Sequence, residues 1–125
     1  MNLNEYQEKA MATCMPSCEN FSYMMLNLVG EVGELASKVG KAIRKKEVSI
    51  RYNEAYYLHT DLDDAKQFDN ALMLEAGDVL WQLSGLCTMM GWKLEDVGQA
   101  NLDKLTARAE AGTIDGNGDG IIREK

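Results

Sequence analysis

Two acidic signatures, Glu31-Val-Gly-Glu34 and Glu75-Ala-Gly-Asp78, each set two carboxylates three residues apart beside an apolar run. On an α-helix, residues three apart lie on neighbouring turns of nearly one face, so each signature aims both carboxylates in one direction. If the two helices pack together, Glu31, Glu34, Glu75 and Asp78 meet. Such a cluster repels itself unless a cation occupies it, and an all-oxygen donor set favours a hard ion, Mg²⁺ or Mn²⁺, over zinc or copper. These four acids are therefore the expected ligands of a metal-dependent site. A single Glu-x-x-Glu pair is usually a solvated charged face; two pairs on facing helices at the core boundary, each beside a glycine, argue for more. Gly30, Gly33 and Gly77 flank the acids despite a cost of about 1 kcal/mol apiece in a helix interior. A missing side chain there would let a neighbouring helix or a ligand approach.

Asn101, Lys104 and Arg108 share one stripe of a later helix, being spaced three and four apart. Opposite an acidic metal site such a stripe acquires a purpose, because a polyphosphate needs cations on the oxygens the metal does not reach. Metal, lysine and arginine together suit a nucleoside triphosphate. A di-iron carboxylate bundle would also use glutamates, but its Glu-x-x-His motifs need two histidines and His59 is alone. Cys14 and Cys18 read as structural cysteines rather than a redox pair, and Met24, Met25, Met73, Met89 and Met90 as core or interface filler. The run Asp115-Gly-Asn-Gly-Asp119-Gly-Ile-Ile122 matches the first half of a calcium-binding EF-hand loop. Its bidentate glutamate belongs at a twelfth position, which falls one residue past the last. A non-catalytic helical module that binds a divalent ion or a partner is the competing reading this tail supports.

The elements that must position these residues are helical. Tyr6, Ala10 and Thr13 or Cys14 share a side of a first helix over residues 4–15, and Pro16 follows it. Phe21, Met24, Met25, Leu28, Val32, Leu35 and Val39 follow helical spacing and predict a second helix to about residue 45. Residues 48–63 are irregular and are expected as a loop with at most one helical turn. A third helix spans 64–90 with Gly91 as its C-terminal cap, and a fourth spans 94–111 with Gly112 after it. At about 100° per residue, Asn27, Glu31, Glu34 and Lys38 form one stripe, and Ala71, Glu75, Asp78 and Gln82 its counterpart on the third helix. The whole chain is thus expected as one all-α domain, a helical bundle of four main helices. The third helix is apolar nearly all round. Its Met73, Leu74, Leu80 and Trp81 sides call for a further partner, most simply a second subunit in a homodimer or homotetramer.

With 125 residues and a net charge of −7, the chain lacks the basic field of a general nucleic-acid binder. It has no apolar run of membrane-spanning length and no basic-then-apolar leader, and its three cysteines form no zinc set. A cytoplasmic protein that contacts neither nucleic acid nor membrane is expected.

The order Glu-x-x-Glu, Glu-x-x-Asp, Asn-x-x-Lys-Leu-x-x-Arg and a Gly-x-Gly-Asp turn resembles the MazG-like all-α nucleoside triphosphate pyrophosphohydrolases. Tyr6-Gln7, Ala10, Thr13 and Pro16 are similar to that family's first helix and turn. The resemblance implies Mg²⁺-dependent hydrolysis of a (deoxy)nucleoside triphosphate to its monophosphate and pyrophosphate. It implies Glu31, Glu34, Glu75 and Asp78 as Mg²⁺ ligands, and Asn101 and Lys104 as nucleotide-binding residues. Arg108, Lys38 and Lys41 are further candidates for phosphate, and Glu34 for the general base. The sequence departs from the pattern in the 40 residues between Glu34 and Glu75 and in the displaced Arg123 of the tail.

Overall fold

Asparagine side chains start the first two helices. In the computed structural model, which describes residues 1–51, 54–57 and 62–112, α1 (Leu3–Met11) begins with a reciprocal cap. Glu5 N–H donates to Asn2 Oδ1 at 2.8 Å, and Asn2 N–H donates to the Glu5 carboxylate at 2.9 Å. A 3₁₀ turn (Pro16–Cys18) separates it from α2 (Phe21–Arg44), where Asn20 Oδ1 accepts the Tyr23 N–H at 2.7 Å. α1 thus ends four residues short of the expected boundary, at the turn that Pro16 completes.

α2 stops without glycine or proline. Lys46 takes a left-handed conformation, φ 62°, and the Glu47 and Lys46 N–H groups bond back to the Ala42 and Ile43 carbonyls at 2.8 and 3.0 Å. This is the paired closure that satisfies the last carbonyls of a helix, here built on a lysine instead of the usual glycine. The loop expected next is instead partly a β-hairpin. β1 (Val48–Arg51) pairs antiparallel with β2 (Glu54–Tyr57) in the register Val48↔Tyr57 to Arg51↔Glu54. Val48, Ile50, Tyr56 and Tyr57 suit a pleated surface, and the run is too short for its alternation to stand out among charged neighbours. His59 lies outside the described residues, as does the tail with its calcium-loop-like run 115–122 and Arg123. α3 (Leu62–Met89) ends at Gly91, φ +75°, as expected, and α4 (Leu94–Ala111) ends at Gly112, φ +76°.

The bundle is all-α apart from that hairpin, and its spine is the antiparallel pair α2–α3, in which Asn27 opposes Gln82 and Lys38 opposes Glu75. The closest packing occurs at a glycine with no acid beside it. Gly85 of α3 lies directly under the fully buried Met24 of α2, so that a Cβ on Gly85 would collide with the Met24 sulfur. Around Gly33 and Gly77, in contrast, a Cβ would meet nothing within 4 Å, so no helix among the described residues approaches those two.

α1 covers one side of α3. The Trp81 indole N–H is shared between Ala10 O and Thr13 Oγ1, both at 3.1 Å, so this chain itself supplies the partner that the Trp81 side was expected to find in a second subunit. α1 also caps α4, whose own N-cap residue, Lys93, provides no side-chain bond. Gln7 Oε1 accepts Leu94 N–H at 2.7 Å and Asn4 Oδ1 accepts Glu95 N–H at 3.1 Å. Gln7 Nε2 meanwhile donates to Trp92 O at 2.9 Å and Thr88 Oγ1 at 3.0 Å. Gln7 therefore ties α1 to the end of α3 and the start of α4. Gln7→Ala is expected to cost about 1–3 kcal/mol, because it orphans the N–H of the buried Leu94. A lowered urea midpoint at unchanged slope would register that loss.

The core is small. Among the described residues, the buried apolar ones are Ala10, Met24, Ala42, Val48, Cys87 and Leu94, while Leu26, Val29, Met73 and Leu74 are each at least 66% exposed. No described helix is long and apolar enough to cross a membrane.

Candidate active site

The antiparallel register of α2 and α3 brings the two acidic signatures to the same level. Glu31, Glu75 and Asp78 each place a carboxylate oxygen within 4.8 Å of the others. Glu31 and Glu75 are half-buried and Asp78 is exposed, which puts the cluster where the bundle interior meets solvent. Glu34, one turn further along α2, is exposed and stands outside that group of three. Its charge nevertheless contributes at Glu31, whose carboxyl is pushed above its usual range by burial first, then by Asp78, Glu75 and Glu34. The Asn27 side chain acts in the opposite sense. Like charges this close disfavour one another's ionisation, and a bound cation would relieve that.

One cation among the described residues reaches the cluster. Lys38 Nζ lies 3.2 Å from Glu75 Oε2, a pair linking α2 to α3. With the lysine side chain 41% exposed, the pair is weak enough for a stronger cation or an anionic ligand to redirect it.

Three carboxylates with no nitrogen or sulfur donor suit a hard divalent ion. Donors around Mg²⁺ sit about 2.0–2.1 Å from it, and so about 3–4 Å from one another. The group of three is thus one small side-chain adjustment from that spacing.

On the α1 side, burial and the charge of Asp78 raise the Tyr6 phenol. On the α2 side, the Asn27 amide N lies 2.8 Å from Gln82 Oε1, 3.2 Å from the Tyr23 hydroxyl oxygen and 3.5 Å from Glu31 Oε2. The Tyr23 phenol is raised by burial, then by its hydrogen bond with Cys18, and the charge of Glu31 acts in the same direction. Sequence reasoning put Asn27 and Gln82 on the acid-bearing stripes without a role and passed over Tyr23. The signal was present, since Asn27 stands four before Glu31 and Gln82 four after Asp78, which makes them opposite in an antiparallel pair whenever Glu31 opposes Asp78.

Asn101 and Lys104 are exposed on α4, and no hydrogen bond or ion pair among the described residues links either to the cluster. Arg108 is half-buried near the end of the same helix. α4 packs on α1 and, less extensively, on α3.

The chain has relatives among known proteins. The chain is 35% identical over 126 residues to "Gene 37 protein" of Mycobacterium phage L5, an alignment covering 95% of this chain and 98% of the phage protein. No solved structure matches. Residues 19–113, which run from the cap of α2 through the whole of α4 and contain both acidic signatures and the basic stripe, match the family model of the MazG nucleotide pyrophosphohydrolase domain. The chain belongs to the MazG nucleotide pyrophosphohydrolase family.

Proposed function

We propose that this protein hydrolyses nucleoside or deoxynucleoside triphosphates to the monophosphate and pyrophosphate in the presence of Mg²⁺, with Mn²⁺ as a substitute. The observation that carries the reading is the meeting of Glu31, Glu75 and Asp78 within 4.8 Å. They would hold the ion jointly with Glu34, which the resemblance adds to the set. Mg²⁺ held there would neutralise phosphate charge and acidify the water it binds. Glu34, at the solvent edge of the group, takes the proton of the attacking water as general base in this reading. Lys38 turns from Glu75 to a phosphate oxygen when the cluster is loaded. Asn101, Lys104 and Arg108 of α4 contact the nucleotide and stabilise the charge on the departing pyrophosphate.

We further propose that the chain works as a homodimer or homotetramer. The exposed Leu26, Val29, Met73 and Leu74 are the surface for that contact, and it can carry the α4 stripe of one copy toward the acids of another.

The experiment is an incubation with a panel of ribo- and deoxyribonucleoside triphosphates in Mg²⁺, Ca²⁺ or a chelator, reading pyrophosphate, orthophosphate and monophosphate. Pyrophosphate and monophosphate in equal amounts, dependent on Mg²⁺ and not supported by Ca²⁺, is the expected result. Release of orthophosphate with a diphosphate product would place the cut elsewhere and overturn it.

A further inference from the structure

Beside the acids, α2 and α3 are joined by a pair of carboxamides, Asn27 and Gln82. Gln82 is only 2% exposed, and its amide N faces the Met24 carbonyl at 3.5 Å and the Met24 sulfur at 3.7 Å. With its donors committed to that side, the end of Gln82 turned toward α2 is its oxygen, 2.8 Å from Asn27 Nδ2. An oxygen there admits only a donor, so the Asn27 amide cannot reverse without setting oxygen against oxygen. The nitrogen of Asn27 is thereby held toward Glu31, 3.5 Å from Oε2. A Cβ on Gly30 would touch Asn27 Oδ1 at 3.4 Å, so the bare glycine leaves that oxygen room on the outer side.

We propose that Gln82 and Asn27 form a positioning relay for Glu31, in which the buried Gln82 fixes the orientation of the Asn27 amide and Asn27 holds the Glu31 carboxylate in its ion-binding rotamer. The inference rests on the reading of the cluster as a divalent-cation site. A glutamate ligand must lose the freedom of its side-chain torsions when it binds an ion, and a neutral amide can hold it without competing for the site as a lysine would. Outer hydrogen bonds of this kind matter to metal sites out of proportion to their length, which here is long and can shorten on loading. The fourfold spacing adds economy, because the relay and the acids occupy consecutive turns of the same two helices.

The test is Mn²⁺ binding to the full chain, followed by the electron paramagnetic resonance of the unbound ion, together with urea unfolding of each variant. Asn27 is half-buried and Met24 stays seated against Gly85 without it, so Asn27→Ala is expected to keep the helical content of wild type, which the urea unfolding checks. It is expected to weaken Mn²⁺ binding about 10-fold. Gln82→Met preserves buried volume while removing the oxygen, and should weaken binding in the same direction. Gln7→Ala destabilises the chain at the α1–α4 end without touching Gln82, Asn27 or Met24, and should leave Mn²⁺ affinity within about twofold of wild type. Wild-type affinity in Asn27→Ala, or an equal loss in Gln7→Ala, would overturn the relay and leave the amides as mere helix glue. A wild-type chain with this Mn²⁺ dependence but no pyrophosphate release keeps the relay and sinks the catalytic reading. One that binds no Mn²⁺ sinks both.

Discussion

Asp78→Asn is expected to reduce pyrophosphate release about 10³-fold, equivalent to about 4 kcal/mol of transition-state stabilisation, while helical content stays as in wild type. The substitution keeps size and shape but takes one of three clustered carboxylates away from the ion, so ion affinity and the placement of the water fall together. Glu31→Gln should behave alike. Glu34→Gln should differ in kind, because Glu34 stands outside the close group. There kcat should fall about 10²-fold or more, as for loss of a general base, while Mn²⁺ binding weakens less than in Asp78→Asn because the close group of three carboxylates remains. Steady-state kinetics at saturating Mg²⁺, paired with Mn²⁺ titration, separate the two behaviours. Full activity in any of these variants removes that residue from the site. Without divalent ions, Glu31→Gln and Asp78→Asn should unfold at higher urea than wild type, because each relieves the repulsion that raises the Glu31 carboxyl.

The second large effect concerns the contact on which the α2–α3 register depends. Met24→Ala is expected to destabilise the chain by about 2–5 kcal/mol, since Met24 is fully buried and its removal leaves a cavity. Gly85→Ala should also destabilise, despite the helix propensity alanine adds. The new methyl enters space filled by the Met24 side chain, and overpacking costs about 1–3 kcal/mol against a propensity gain of about 1 kcal/mol. Combined, the two changes should be less harmful than their sum by about 1–3 kcal/mol, because the methyl added at position 85 then occupies room that the truncated Met24 side chain has vacated. Urea midpoints of the single and double variants measure this coupling. Strict additivity would mean that the two helices do not meet at Gly85, and would undermine the register that brings Glu31 level with Asp78.

Much of the architecture was legible without coordinates. The helix ends at Gly91 and Gly112 follow from glycine's tolerance of positive φ, and the apolar spacing of residues 21–39 announces α2, because both signals are local. The hairpin was missed because its strands are four residues each and sit among charged neighbours, where period-two alternation has no length in which to emerge. The end of α2 at Arg44 was placed within a residue although its device, Lys46 in the left-handed region, has no sequence signature.

The same division runs through the site. That Glu31, Glu34, Glu75 and Asp78 face outward in pairs from two helices is a property of helical geometry, and a single chain of letters is enough to state it. Which of them come within reach of one another depends on the depth and register of the α2–α3 contact. The seating of Met24 against Gly85 and the pairing of Asn27 with Gln82 set that register, bringing three acids together and leaving Glu34 at the rim. Likewise, the apolar sides of α3 are written in its sequence, but that Trp81 turns to α1 while Met73 and Leu74 remain exposed follows from where α1 ends. Spacing along a helix is dictated by covalent geometry and local hydrogen bonds; proximity across helices is chosen by packing, which only the folded chain can decide.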